Sequence, residues 1–219
     1  DYFQVSALEP HFPREKWDSV PCRVERNVAR ILALLERHEA KATFFTLGWL
    51  AERYPALIRR IADAGHEIAS HGYGHQRASA LTPEAFSADI VLAKAVLEDI
   101  SGQAPRFPWR LPNGLVEVPI TTLNMLGRNW PAGGGGFFRL LPYAVSRWQI
   151  AKVNREDGRS AIFYFHPWEI DPEQPRVREA SAKTRFRHYI NLERTERRLE
   201  RLLADFAWGR ADEVFRDAA

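Results

Sequence analysis

The sequence lacks several features whose absence excludes whole categories of functional site. It contains one cysteine, Cys22, so neither a disulfide framework nor a four-cysteine zinc site can form within the chain. It contains no uninterrupted run of about 18 apolar residues, so we expect no transmembrane helix. It also contains no Gly-x-Ser-x-Gly motif, which disfavours a serine esterase. Any metal site must therefore use histidine and carboxylate ligands.

The composition is sufficient for one sizeable hydrophobic core. The 219 residues are 45% hydrophobic and 12% aromatic, and we predict a single domain over residues 1–219. The chain carries 31 basic and 28 acidic residues, a formal net charge of +3, and the basic residues concentrate late in the chain. A concentration of basic residues of this kind is typical of a solvated helical face, and no nucleic-acid-binding motif accompanies it. We therefore expect no nucleic-acid partner, and docking of a protein through this basic region has little support.

Hydrophobic periodicity predicts alternating helices and strands in the first half of the chain. Apolar residues recur at helical spacing in "VERNVARILALLERHEA", and "KATFFTL" follows as a β-branched and aromatic run of strand length. The pattern repeats as a helix from Pro55 that stops at Gly65, then a short strand in "HEIAS". Thr82 is the expected N-cap of a third helix that ends near Gly102. This alternation indicates an α/β fold.

The second half of the chain has a looser pattern. We expect a strand in "GLVEVPITTL", a loop in "WPAGGGGFFRLLP", a buried strand in "SAIFYFHPWEI" and an amphipathic helix in "NLERTERRLERLLADF". The glycine run at Gly133–Gly136 is not followed by the Gly-Lys-Ser/Thr of a phosphate loop. It is interpreted either as a loop that borders a sugar cleft or as a plain flexible connection.

Chemically active side chains stand where predicted strands end, the edge at which parallel α/β folds collect their functional groups. His71 and His75 follow one strand, and Asp1 opens the chain. A four-residue spacing can aim two imidazoles at one metal ion, with a carboxylate and water completing an open zinc site. The alternative is that both histidines are polar loop residues beside flexible glycines.

A third histidine, His166, ends the predicted strand "AIFYF". It can serve as a general acid, or it can be a core histidine whose hydrogen bonds are satisfied. Glu169 and Asp171 are close enough in sequence to tune it, or to cap a turn. Nearby aromatic residues have two interpretations as well, because they can stack on sugar rings or fill the core; these are Trp49, Trp130 and Trp168.

Three stretches together, "ATFFTLGWLAERYP", "AGHEIASHGYGH" and "YFHPWEIDPEQPR", resemble the polysaccharide deacetylase family, the NodB-homology carbohydrate esterases. The resemblance runs over nearly the whole chain and is strongest to the bacterial subfamily of exopolysaccharide loci with exosortase systems. It implies a distorted (β/α) barrel and a divalent metal, expected to be zinc. It implies Asp1, His71 and His75 as metal ligands, Asp1 and His166 as catalytic residues, and His166 as the general acid.

The implied activity is hydrolysis of acetyl groups from the N-acetylated sugars of a polysaccharide or oligosaccharide, with a metal-bound water as nucleophile. Two departures from the family pattern bear on it. The first acidic motif is reduced to "DYF", so Asp1 matches its last acid, either as the metal carboxylate or as the neighbour of that ligand, and the usual catalytic base is absent from these residues. The alternative function is therefore a catalytically silent glycan-binding or scaffold protein that keeps the fold. Either would act in the bacterial cytoplasm or cell envelope.

The second departure is internal, because the Arg-x-Pro segment that follows "LEDISGQ" in relatives is missing and Gln103 precedes Ala104 directly. A barrel without its first strand and this segment should not close as written. We therefore expect a break in which the two Cα atoms lie well beyond the about 3.8 Å of a trans peptide. Asp1 would then be the first visible residue of a longer chain, whereas an intact junction would favour a degenerate remnant.

Overall fold

A computed structural model of the protein describes residues 8–102, 120–125 and 128–215. Short 3-10 segments at Arg14–Ser19, Ala78–Ala80 and Pro167–Ile170 and a π-helical turn at Val153–Asp157 accompany the regular elements. In chain order, the regular elements are α1 (Val24–Arg37), β1 (Thr43–Thr46), α2 (Gly48–Arg53), α3 (Pro55–Asp63), β2 (Glu67–Ser70), α4 (Pro83–Ser101), β3 (Thr122–Met125), β4 (Arg128–Pro131), α5 (Gly135–Leu140), α6 (Tyr143–Lys152), α7 (Ala182–Tyr189), α8 (Leu192–Asp205) and α9 (Ala211–Val214).

The described residues form two compact units. The first unit contains residues 8–34 and 120–207, and the second unit contains residues 35–102 and 208–215. The single domain expected over residues 1–219 stays a prediction.

The second unit is built on a parallel strand pair. β1 pairs with β2 so that Thr43 lies opposite Glu67 and Thr46 lies opposite Ser70. Parallel strands require a crossover connection, and α2 and α3 supply it. All four residues of β2 are buried. Because the strands are parallel, their carboxyl ends lie at the same edge, and the predicted alternation of helix and strand is confirmed here.

Helix ends in the second unit follow the local signals. The Thr82 hydroxyl accepts a hydrogen bond from the Ala85 N–H at 3.2 Å, as an N-cap should. Helix α3 ends at Asp63, and Gly65 follows with a left-handed φ of 78°. Helix α4 ends at Ser101, one residue before Gly102. These predicted boundaries are confirmed.

The first unit contains the antiparallel strand pair β3–β4 and helices α5 to α8. Helix α8 confirms the predicted amphipathic helix, with its buried residues at helical spacing: Leu192, Thr195, Leu199 and Leu202. One core cluster of this unit joins Trp168 and Leu192 with Leu8, Val177 and Ala180.

Two predicted elements of the first unit differ from the structure. The stretch predicted as a loop contains helix α5, which begins within the glycine run. Among the described residues, the stretch predicted as a buried strand forms one parallel bridge, between Tyr164 and Gly134, and the Tyr164 residue is 44% exposed. Pro167 then starts a 3-10 turn, because its fixed φ suits the first position of a helix and it cannot donate to a sheet.

None of the helices formed by the described residues is both long enough and apolar enough to span a membrane.

A buried carboxylate lies at the start of β2. Glu67 is 3% exposed, and its Oε2 accepts hydrogen bonds from the Thr43 hydroxyl at 2.5 Å and the Asp212 N–H at 3.2 Å. Its Oε1 is buried without a hydrogen-bond partner among the described residues. Burial raises the pKa of this carboxyl above its ordinary value of 4.5.

We predict that Glu67→Gln raises the melting temperature at pH 8 and that this gain shrinks as the pH falls toward 4.5. A raised pKa stabilises the folded protein below the unfolded-state pKa, and that contribution is lost as the pH rises through the folded-state pKa. Glutamine does not ionise, so it escapes this loss. Thermal melts across pH 4 to 8 make the measurement. Glu36→Gln, at an exposed position of α1, is the control. A change in melting temperature of Glu67→Gln that is equal at pH 4 and at pH 8 would contradict the prediction.

Candidate functional site

The two spaced histidines lie directly after β2, at the carboxyl edge of the parallel pair. The His71 N–H donates to the Thr46 carbonyl at 2.9 Å, which extends the strand pairing by one bond. The ring centroids of His71 and His75 are 5.0 Å apart, with the ring planes tilted by 55°. His71 is exposed and His75 is half-buried. The structure therefore brings this predicted pair together at a strand end.

The segment that carries the pair, here called the histidine loop (residues 71–75), is anchored through its backbone. The carbonyls of Gly72 and Tyr73 accept hydrogen bonds from the Gly48 and Trp49 N–H groups, at 3.0 and 3.1 Å, in the first turn of α2. The N–H groups of Tyr73 and Gly74 donate to the carboxylate of Asp89, on α4. The loop is thus bound on both its donor and its acceptor side.

The separation of the two rings is compatible with joint ligation of a metal ion. A ring nitrogen about 2.1 Å from zinc places its ring centroid about 3.2 Å from the metal, and a tetrahedral angle then separates two centroids by about 5 Å. The observed separation of 5.0 Å matches that value. Within the described residues, no group of three histidine, cysteine or carboxylate side chains could hold a metal. The predicted third ligand, Asp1, lies outside these residues, as does the expected break between Gln103 and Ala104.

His166 belongs to the first unit and is held by one carboxylate at two points. Its backbone N–H donates to Glu169 Oε1 at 3.0 Å, and its ring Nδ1 lies 3.1 Å from the same oxygen. The side chain is 35% exposed, so the alternative of a buried core histidine does not apply. With Nδ1 turned to the carboxylate, Nε2 is the ring nitrogen left to exchange a proton with a ligand.

The Glu169 carboxylate is itself held by a buried arginine. Arg139 Nε donates to Glu169 Oε2 at 2.7 Å, and both side chains are 3% exposed. The same guanidinium donates to the backbone carbonyls of Arg187, His188 and Ile190. Burial on its own would raise the pKa of Glu169, but the hydrogen bond from His166 and the charge of Arg139 outweigh it and lower that pKa. Glu169 therefore stays ionised beside His166.

Aromatic stacking supports the same segment. Trp168 stacks on His188, with centroids 4.1 Å apart and planes 12° apart, and His166 lies 5.7 Å from Trp168 on a nearly parallel plane. Burial and the charge of Arg139 lower the pKa of His188 to about 4, so it is neutral near pH 7. Trp168 and Trp49 are buried, which favours their interpretation as core residues, whereas Trp130 is 49% exposed.

The glycine run is a packing surface for this segment rather than a flexible connection. The Tyr164 N–H donates to the Gly133 carbonyl and the Gly135 N–H donates to the Tyr164 carbonyl, both at 2.8 Å. A Cβ at Gly133 would lie 2.0 Å from the Ile162 carbonyl oxygen, and one at Gly135 would lie 2.5 Å from both carboxylate oxygens of Glu169. Glycine is required at these two positions because other segments of the same chain approach them so closely.

Asp171 has a different role from Glu169. It is 1% exposed and accepts hydrogen bonds from Arg23, Arg26 and Asn27, at 2.5 to 3.2 Å. Burial opposes its ionisation, but these donors lower its pKa overall. Asp171 therefore ties the segment after His166 to α1 and its preceding residue, whereas Glu169 contacts the histidine.

Sequence reasoning missed Arg139 and Asp89. Each is a single charged residue within an apolar run, "GGFFRLL" and "FSADIVLA" respectively, and this is the signal that could have found them. Their partners lie 15 to 51 residues away in sequence.

Comparison with known proteins finds related sequences and related structures. A family model described as polysaccharide deacetylase matches residues 16–127, and a model described as a domain of unknown function (DUF3473) matches residues 95–216. A peptidoglycan-N-acetylglucosamine deacetylase of Bacillus cereus is 37% identical over 78 residues, which are 36% of this chain and 28% of that protein. The match thus spans less than a third of that relative.

Solved structures show the fold over a larger part of the chain. The peptidoglycan deacetylase PdaC of Bacillus subtilis superposes with a TM-score of 0.53 at 15% identity, covering 87% of this chain and 84% of that one. A CE4 family pseudoenzyme from Bacillus anthracis gives 0.53 at 16% identity, covering 89% and 62%. These likenesses confirm the predicted α/β fold of the NodB type as a partial barrel.

We predict that Gly135→Ala lowers the free energy of unfolding by about 1–3 kcal/mol, because the added methyl group displaces the Glu169 carboxylate from His166 and Arg139. Gly136→Ala is the matched control, since its Cβ would meet no atom within 4 Å. Denaturant titrations of both variants give the comparison. Equal unfolding free energies for the two variants would show that the close approach at Gly135 is not a constraint.

Proposed function

The chain belongs to the polysaccharide deacetylase family, whose model matches residues 16–127, and from this membership we propose that it hydrolyses acetyl groups from the N-acetylated sugars of a polysaccharide. The observation that carries the proposal is the histidine loop, where two imidazoles lie 5.0 Å apart at the carboxyl edge of a parallel strand pair.

His71 and His75 are the residues that would hold a divalent metal, through neutral ring nitrogens. Zinc is the metal proposed, with Asp1 as the carboxylate ligand and the candidate catalytic carboxylate. When bound, such an ion supplies Lewis acidity toward an acetyl carbonyl and makes water nucleophilic near neutral pH. The exposed position of His71 at a strand end leaves this loop accessible to an external sugar.

His166 is proposed as the general acid that protonates the leaving amine. Glu169 Oε1 accepts from the Nδ1 side of the ring, which leaves Nε2 to hold and deliver the proton. Arg139 keeps the carboxylate of Glu169 ionised and in place.

The proposed substrate is an oligomer or polymer of N-acetylated sugar. The similar protein of Bacillus cereus is a peptidoglycan-N-acetylglucosamine deacetylase, and an exposed tryptophan, Trp130, offers an apolar face on which a sugar ring can stack. The finer assignment, to exopolysaccharide loci with exosortase systems, rests on stretches such as "YFHPWEIDPEQPR" and stays a prediction.

A catalytically silent glycan-binding protein is the second candidate. The likeness to the Bacillus anthracis pseudoenzyme is compatible with it, because the fold matches that structure and PdaC with the same TM-score. The two candidates separate on acetate release. Purified protein supplied with zinc and an N-acetylglucosamine oligomer should release acetate and a product lighter by one acetyl group. Binding of the oligomer without acetate release would support the silent alternative.

We predict that His71→Ala abolishes stoichiometric zinc retention while leaving the fold intact, because an exposed loop residue contributes little to the core. Elemental analysis of purified protein measures the zinc content, and thermal melts of the metal-free protein measure the fold. His38→Ala, which alters a histidine outside the loop, should retain the metal. Undiminished zinc in His71→Ala would remove this histidine from the metal site.

We predict that His166→Ala lowers turnover by about 10²–10⁴-fold, the contribution of a general acid, while zinc content is unchanged. Elemental analysis and the rate of acetate release are measured on the same preparation. A rate equal to that of the parent protein would refute the role of His166, and loss of zinc together with activity would instead make it a metal ligand.

A further inference from the structure

We propose that Asp89, on α4, is a positioning residue for the histidine loop, whose carboxylate holds the backbone conformation that brings His71 and His75 together. The inference deepens the proposed function and rests on it, because it matters for chemistry only if the loop binds a metal.

The contact is made to the part of the loop between the two histidines. Asp89 Oδ2 accepts the Tyr73 N–H at 2.8 Å, and Asp89 Oδ1 accepts the Gly74 N–H at 3.2 Å. One carboxylate thus binds two successive backbone donors. Hydrogen bonds to an ionised acceptor are about twice as strong as neutral ones, so this is a firm anchor for a short segment.

The loop needs an anchor because its backbone is unusual on both sides of that contact. Gly72 has a φ of 73° and His75 has a φ of 57°, both in the left-handed region. For a residue with a side chain, such as His75, this conformation costs about 1–2 kcal/mol. A strained conformation persists only where surrounding contacts determine it.

Asp89 also explains the glycine at position 72. A Cβ added there would lie 2.7 Å from Asp89 Oδ2, closer than real contacts allow. Position 72 therefore combines a left-handed φ with close approach of the carboxylate, and glycine suits both.

Further anchors of the loop come from the backbone of α2, whose first N–H groups bind the carbonyls of Gly72 and Tyr73. On the donor side, the Gly72 N–H donates to Ser70 Oγ at 3.3 Å, and Asp89 binds the N–H groups of Tyr73 and Gly74. Loss of the Asp89 carboxylate would free the Tyr73 and Gly74 N–H groups and let the peptide units between the histidines rotate. The ring separation of 5.0 Å would then no longer be maintained.

The test compares zinc affinity in Asp89→Asn and in Asp99→Asn, a control at an exposed position of the same helix. Asparagine keeps one acceptor oxygen and turns an N–H group toward the second donor. Competition with a chromophoric chelator should show about 10–100-fold weaker zinc binding in Asp89→Asn, the usual effect of losing a group that orients metal ligands. Asp99→Asn should bind zinc as the parent does.

A second readout does not depend on metal. In the metal-free protein, hydrogen exchange at the Tyr73 and Gly74 amides should accelerate in Asp89→Asn and not in Asp99→Asn. Asp89→Glu keeps the charge and both acceptors on a longer arm, so its zinc affinity should lie between those of Asp89→Asn and the parent. If Asp89→Asn does not fold, Asp89→Glu decides, with weaker zinc binding in a folded protein as the expected result.

The outcomes separate this inference from the proposed function. If the parent protein retains no zinc, the proposed metal site fails, and amide exchange alone decides whether Asp89 holds the loop. If the parent binds zinc and the folded Asp89→Asn, or Asp89→Glu in its place, binds it equally well, the positioning role is overturned while the metal site stands. Unchanged exchange at the Tyr73 and Gly74 amides overturns it as well.

Discussion

The parallel pairing of β1 with β2 is the constraint from which the histidine loop follows. Since parallel strands end at the same edge, the residues after Thr46 and Ser70 must be neighbours. The pairing continues by one hydrogen bond into His71, and α2 begins beside it at Gly48. The first N–H groups of this helix therefore face the carbonyls of the loop and bind them directly.

The same principle of support recurs in the first unit with different chemistry. There, a single carboxylate, Glu169, binds the His166 backbone and ring, and the glycine run allows α5 to approach it. In the second unit, Asp89 binds the backbone between two histidines. In both cases an acidic side chain fixes a histidine-bearing segment that follows an extended stretch, and in both cases a glycine makes room for the carboxylate.

Local signals in the sequence were sufficient for the elements whose ends depend on local chemistry. Thr82 caps α4 and Gly65 follows α3 as expected, because capping involves residues within one turn. Helix α5 was missed because glycine is a poor helix former, and its place is determined by the distant segment around Tyr164.

The candidate site likewise has one part that the sequence predicts and another part that it does not. Spacing alone identified His71 and His75, but the closeness of their rings depends on the left-handed backbone at His75 and on a carboxylate from another helix. Such tertiary partners have no local signature beyond an isolated charge in an apolar run, as for Asp89 and Arg139.

The energetics of buried charges indicate why such charges are informative. A buried ion pair adds little stability over apolar packing of similar volume, because both charges lose their hydration. The pair of Arg139 and Glu169, each 3% exposed, is therefore poorly explained as a device for stability. It is better explained by its third member, since ionised Glu169 orients the half-exposed His166 and leaves Nε2 of that ring facing away from the protein carboxylate.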